Sequence, residues 1–74
     1  MCDDRAVGRY VYNVRQGSNK GPKIGTYQQE GQAEPPRRGA LIELYGIWWR
    51  IIDRQRTDVF RSDDNILVVE RYVP

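Results

Sequence analysis

The stretch that most constrains this fold is 39–53, Gly-Ala-Leu-Ile-Glu-Leu-Tyr-Gly-Ile-Trp-Trp-Arg-Ile-Ile-Asp, which holds both tryptophans of the chain. A glycine in mid-run and a high share of β-branched and aromatic residues argue against a helix there. The stretch reads instead as two strands reversing at Tyr45-Gly46. On the first arm Ala40, Ile42 and Leu44 face one way and Leu41, Glu43 and Tyr45 the other. On the second, Ile47, Trp49 and Ile51 alternate with Trp48, Arg50 and Ile52. Large apolar groups on both faces place these strands centrally or in a closed barrel. Glu43 and Arg50 mark their faces as partly solvated and are expected to pair across the hairpin.

The flanking chain repeats the alternating pattern. In 9–15, Tyr10, Tyr12 and Val14 share one face, with Arg9, Val11, Asn13 and Arg15 on the other, the pattern of a half-buried strand. Residues 16–23, Gln-Gly-Ser-Asn-Lys-Gly-Pro-Lys, are hairpin-loop chemistry; their glycines and lysines lack the spacing of a phosphate-binding loop. A short second strand is expected over 24–28, where Gly25 suggests a bulge or a close backbone approach. Residues 29–38 form a polar surface loop stiffened by Pro35-Pro36. After the central hairpin come a polar turn over 53–58, a short edge strand at 59–61, a turn at 62–65 and a closing strand over 66–73. The 1–7 segment lacks periodicity and reads as a frayed end.

Five or six short strands joined by polar turns give an all-β single domain: a small antiparallel barrel or curled sheet of SH3-like type. The spacing Gly39-x-x-Ile42-x-Leu44-x-Gly46-x-x-Trp49-x-Ile51 is similar to hairpins of that broad class. The expected core is Trp49 and Ile51 with Tyr12, Val14, Leu44 and Val68. With 74 residues, a chain buries only roughly 60% of its unfolded surface and is modest in stability.

Chemistry-bearing residues are scarce. There is no histidine, which removes the usual general base and metal ligand at neutral pH. Cys2 lies beside Asp3 and Asp4, whose charges oppose thiolate formation. Asp63-Asp64 with Asp58 is the nearest approach to a metal site, but adjacent acids there read as turn residues. No enzyme, metal or cofactor is expected. A single cysteine points to a reducing compartment, and no apolar run suits a membrane span, so a cytoplasmic protein without membrane contact is expected.

Binding is the remaining class. Adjacent Trp48 and Trp49 point to opposite faces of one strand, so one fills the core while the other is exposed or lies under the 29–38 loop. An exposed Trp beside Tyr and Arg has the composition of an interface hot spot. The chain is expected to be a regulator that docks on a larger protein complex, as phage-type inhibitors or modulators of host RNA polymerase do. The expected contact residues are Arg37 and Arg38 with Arg9, Arg15, Lys20, Lys23, Trp48 and Tyr27, facing an acidic surface. Two alternatives stand beside it. One is nucleic-acid binding by arginines interleaved with Tyr10, Tyr12, Tyr27 and Trp48, for which the net charge of +2 is weak support. The other is an assembly subunit that self-associates by adding strands at a sheet edge.

Overall fold

A computed structural model describes residues 9–30 and 34–73 and shows five strands and no helix among them. They are β1 (Arg9–Gln16), β2 (Lys23–Glu30), β3 (Leu41–Leu44), β4 (Ile47–Gln55) and β5 (Arg61–Arg71). They form one sheet in the order β2-β1-β5-β4-β3, curled into a nearly closed barrel. The all-β class and the barrel curl agree with the sequence reading. With no helix among the described residues, none is long and apolar enough to cross a membrane.

One pairing departs from the expected antiparallel sheet. β1 and β5 run parallel, with Val14 beside Leu67 and Arg15 beside Val68. The cause is parity. β1 and β2 are antiparallel, as are β3 with β4 and β4 with β5, and β3 runs opposite to β2. Five strands that reverse at every connection leave the first and last pointing the same way, so their pairing is parallel and the sheet is mixed.

Two turns shape the curl. At the β3–β4 reversal Tyr45 and Gly46 both take positive φ, 56° and 79°, the conformation of a two-residue hairpin turn matched to strand twist. The Tyr45 ring then lies over Gly25 of β2, where a Cβ would stand 2.9 Å from it, so the hairpin tip reaches across the open side of the sheet. Gly25 also adjoins a bulge that leaves Ile24 out of the β1–β2 register. In the β1–β2 connection, Gly21 closes a tight turn onto the carbonyl of Ser18 at 2.9 Å. A Cβ at position 21 would meet the Gln16 carbonyl oxygen at 1.9 Å, so only glycine fits.

The core fills the concave side: Tyr10, Tyr12, Val14, Ile42, Trp49, Ile51, Leu67 and Val69, with Ile24, Tyr27, Ala40, Leu44 and Ile47 packed against it. The expected core residues Trp49, Ile51, Tyr12, Val14 and Val68 are buried, and Leu44 is half-buried. The Trp49 indole N–H is enclosed without an acceptor. β5 lies between β1 and β4, and its run from Asn65 to Val69 is buried throughout. Ile66 and Val68 of that run therefore point to the side away from the main core.

The second half of the chain differs from expectation in three places. β4 continues to Gln55 through a bulge after Ile51, where a polar turn from 53 was expected. The expected edge strand at 59–61 is instead the approach to the central strand β5, and 62–65 is an insertion within β5: Val11 pairs with Arg61, yet Asn13 pairs with Ile66. Thirdly, Glu43 lies opposite Trp48, not Arg50. Arg50 reaches the other way, and its Nε donates to the Glu70 carboxylate at 2.7 Å.

Asn65 holds the insertion and the β4–β5 connection together. Its side chain is fully buried, its Nδ2 donates to the carbonyls of Val59 (2.8 Å) and Phe60 (3.2 Å), and its Oδ1 accepts from the Thr57 N–H (2.8 Å) and hydroxyl (3.0 Å). A buried amide with every group satisfied fixes a backbone path that propensity alone would leave as a loop.

Candidate functional site

The convex face of β3, β4 and β5 carries the most interaction-like surface among the described residues. Alternation along β4 sends Trp49 and Ile51 into the core and Trp48, Arg50 and, after the bulge, Asp53 outward. Trp48 is 50% exposed, with Leu41 at 42% and Ile52 at 37% on the same part of the sheet. Leu41 sits opposite Arg50, and the Trp48 carbonyl accepts from the Tyr72 N–H at 3.0 Å. The large apolar groups thus stand on rigid, hydrogen-bonded strand. Arg50, paired with Glu70, stands among them opposite Leu41, with Glu43 beside Trp48 and the Arg38–Asp53 pair (3.1 Å) beyond Ile52. Exposed Trp and Leu interleaved with Arg have the composition of a protein interface.

Register then decides which of the expected contact residues join this surface. Lys23 pairs with Arg15, Arg15 lies beside Val68, and Val68 lies opposite Asp53, which binds Arg38. Lys23, Arg15 and Arg38 therefore lie along one outward row that crosses the sheet to the Trp48 face. Lys20 is exposed in the β1–β2 connection, whose Gly17 N–H donates to the Val69 carbonyl at 2.9 Å, next to Glu70. Arg37 is exposed beside Glu34 at 3.7 Å. The described part of its loop is fastened to β4: Arg54 donates to the Pro36 carbonyl at 2.8 Å, and the Gly39 N–H to that of Ile51 at 2.7 Å. Arg9 stands at the far end of β1 opposite Glu30, away from this row. Tyr27 turns its ring toward Tyr12, centroids 6.4 Å apart, and packs against the core. Arg15 is partly engaged, donating to the Gly21 carbonyl at 2.9 Å.

One polar cluster escaped the sequence reading. At the other end of the sheet the Arg56 guanidinium lies 4.3 Å over the Tyr10 ring, and Phe60 meets the same ring edge-on at 4.8 Å. The buried Tyr12 hydroxyl donates to Gln29 Oε1 at 3.0 Å. Burial pushes this hydroxyl above the usual tyrosine range, while Arg56 beside it pulls the other way. Arg54 and Arg56 looked like surface cations in a turn; nothing local showed that continued strand would carry Arg56 over a buried aromatic pair. The cluster is packed and internally bonded, the arrangement of a structural plug.

Asp58, Asp63 and Asp64 do not converge: among the described residues no three acidic or cysteine side chains form a group that would hold a metal. Cys2 and the 1–7 segment lie outside the described residues, as do 31–33 of the 29–38 loop. No family model, curated protein or solved structure matches this chain.

Proposed function

We propose that this chain is a non-enzymatic protein-binding module that docks on a larger protein complex through the convex face around Trp48. The observation that carries the reading is the opposite fate of two adjacent tryptophans, Trp49 buried and Trp48 half-exposed on the face that also shows Leu41 and Ile52. Leaving a large aromatic in water on rigid strand offers a desolvation gain that a partner pocket can collect. The row of Arg38, Arg15 and Lys23 favours a partner with an acidic rim, and such charges act mainly on association rate and orientation. The narrower form, a viral inhibitor or modulator of a host transcription enzyme acting in the cytoplasm, draws on chain size and the thin catalytic inventory. Of the rings expected to stack on bases, Tyr10 and Tyr12 are buried and Tyr27 packs inward, which leaves only Trp48 of that set exposed and weakens the nucleic-acid reading.

The test is affinity capture from the native host with and without nuclease, comparing the parent chain with Trp48→Ser and with Val59→Ser, an exposed apolar control elsewhere on the molecule. The reading expects one protein complex that survives nuclease, is lost with Trp48→Ser and is kept with Val59→Ser. Capture that disappears on nuclease treatment, or that Trp48→Ser leaves intact, overturns it.

A further inference from the structure

We propose that β2 is a self-pairing edge, and that two copies of this chain join β2 to β2 in an antiparallel dimer centred on Tyr27. Among the described residues β2 ends the sheet, with β1 on one side and no strand on the other. The orientation of its polar groups follows from β1. The Val11 N–H donates to the Phe60 carbonyl on the β5 side. Tyr10, Tyr12 and Val14 therefore point their backbone groups toward β2, and their partners Gln29, Tyr27 and Gly25 point back. Alternation directs the N–H and C=O groups of Thr26, Gln28 and Glu30 to the open side. The strand is eight residues long and contains no proline. Of the usual protections of a free edge it lacks brevity, proline and inward-pointing charge, and its bulge and Lys23 are confined to one end, leaving Gly25–Glu30 regular. The Tyr45 ring covers the concave face of Gly25, and no described strand pairs with the edge itself.

The side chains select a second copy as the occupant. A two-fold axis at Tyr27 sets Thr26 opposite Gln28 of the other copy in a hydrogen-bonded pair and Tyr27 opposite its own mate. The bulge at Ile24 moves Lys23 into the next ladder position, so Lys23 faces Glu30 of the other copy at both ends, on the convex face. Lys23 otherwise stands beside Arg15, a like-charge neighbour across β1–β2. The incoming carboxylate relieves that repulsion, and the symmetric Tyr27 pair adds an aromatic contact. Lys23 belongs both to this edge and to the cation row that crosses to the Trp48 face, whereas Thr26 and Trp48 each belong to one surface only, so variants at those two positions tell the proposals apart.

Analytical ultracentrifugation of the full chain over a wide concentration range tests the proposal. The parent is expected to reach twice the 8.7 kDa of one chain. Thr26→Pro removes only an N–H that faces the open edge; it is expected to be monomeric with the parent's circular dichroism. Lys23→Glu and Glu30→Lys are each expected to weaken the dimer by about tenfold or more, because attraction becomes repulsion at two symmetric sites, and combining them is expected to restore it. Trp48→Ser is expected to leave it unchanged. A parent that remains at one chain mass, a dimer that survives Thr26→Pro, or a charge swap that fails to restore association overturns the proposal.

Discussion

At the scale of single residues, the fold rests on groups whose burial and partners are fully specified. Asn65 satisfies four hydrogen bonds in a site closed to water. Asn65→Ala takes the acceptor from the Thr57 N–H and one of two donors from each of the Val59 and Phe60 carbonyls, which keep the Thr57 hydroxyl and the Val11 N–H respectively. It is expected to cost roughly 3 kcal/mol in urea unfolding. A loss under about 1 kcal/mol, the scale of an ordinary surface change, would remove its role as the staple. Tyr12 gives a prediction with a definite sign. Its folded hydroxyl ionises above the usual tyrosine value near pH 10, so the unfolded chain releases this proton first. Its contribution is complete below that pH and is lost as pH rises beyond it. The melting temperature of the parent is expected to fall more steeply above pH 10 than that of Tyr12→Phe; parallel curves would show that Tyr12 is not the responsible group.

At the scale of elements, the β3–β4 hairpin is set by its turn. Gly46 holds φ at 79° with nothing near the position a Cβ would take. Gly46→Ala therefore carries only the conformational penalty, expected at about 1–2 kcal/mol by thermal unfolding with the sheet spectrum preserved. This hairpin was legible in the sequence because its turn glycine and strict alternation agree, and β1 was legible from Tyr10, Tyr12 and Val14. The start of β5 was not. Ser62-Asp63-Asp64-Asn65 is turn chemistry, and only a tertiary environment that buries Asn65 turns it into an insertion within a strand. The Arg50 partner was missed for a similar reason: hairpin register sets Glu43 against Trp48, and Glu70 arrives from a strand twenty residues away in sequence. The parallel β1–β5 pair follows from counting reversals, which requires every strand boundary first. As for the candidate surface, alternation separated Trp48 from Trp49, but the grouping of Arg15, Lys23 and Arg38 depends on registers across four strands, and Arg9 drops out for that same reason.

At the scale of the whole molecule, the curled sheet divides into a concave core and a convex face that carries the proposed docking surface. Arg37 and Arg38 stand at the edge of that face in exposed ion pairs with Glu34 and Asp53. Reversing both charges is expected to slow association with the captured partner, most at low salt, while stability changes by less than about 1 kcal/mol. Unchanged association at low salt would take these cations out of the interface. The division itself is read most directly by the fluorescence of two single-tryptophan variants. Trp49→Phe removes an indole N–H that has no acceptor and leaves Trp48 as the reporter; Trp48→Phe leaves Trp49. Trp48 is expected to show water-like emission and ready acrylamide quenching, against blue-shifted, protected emission for Trp49. Equal protection of the two, or the reverse order, would contradict this division.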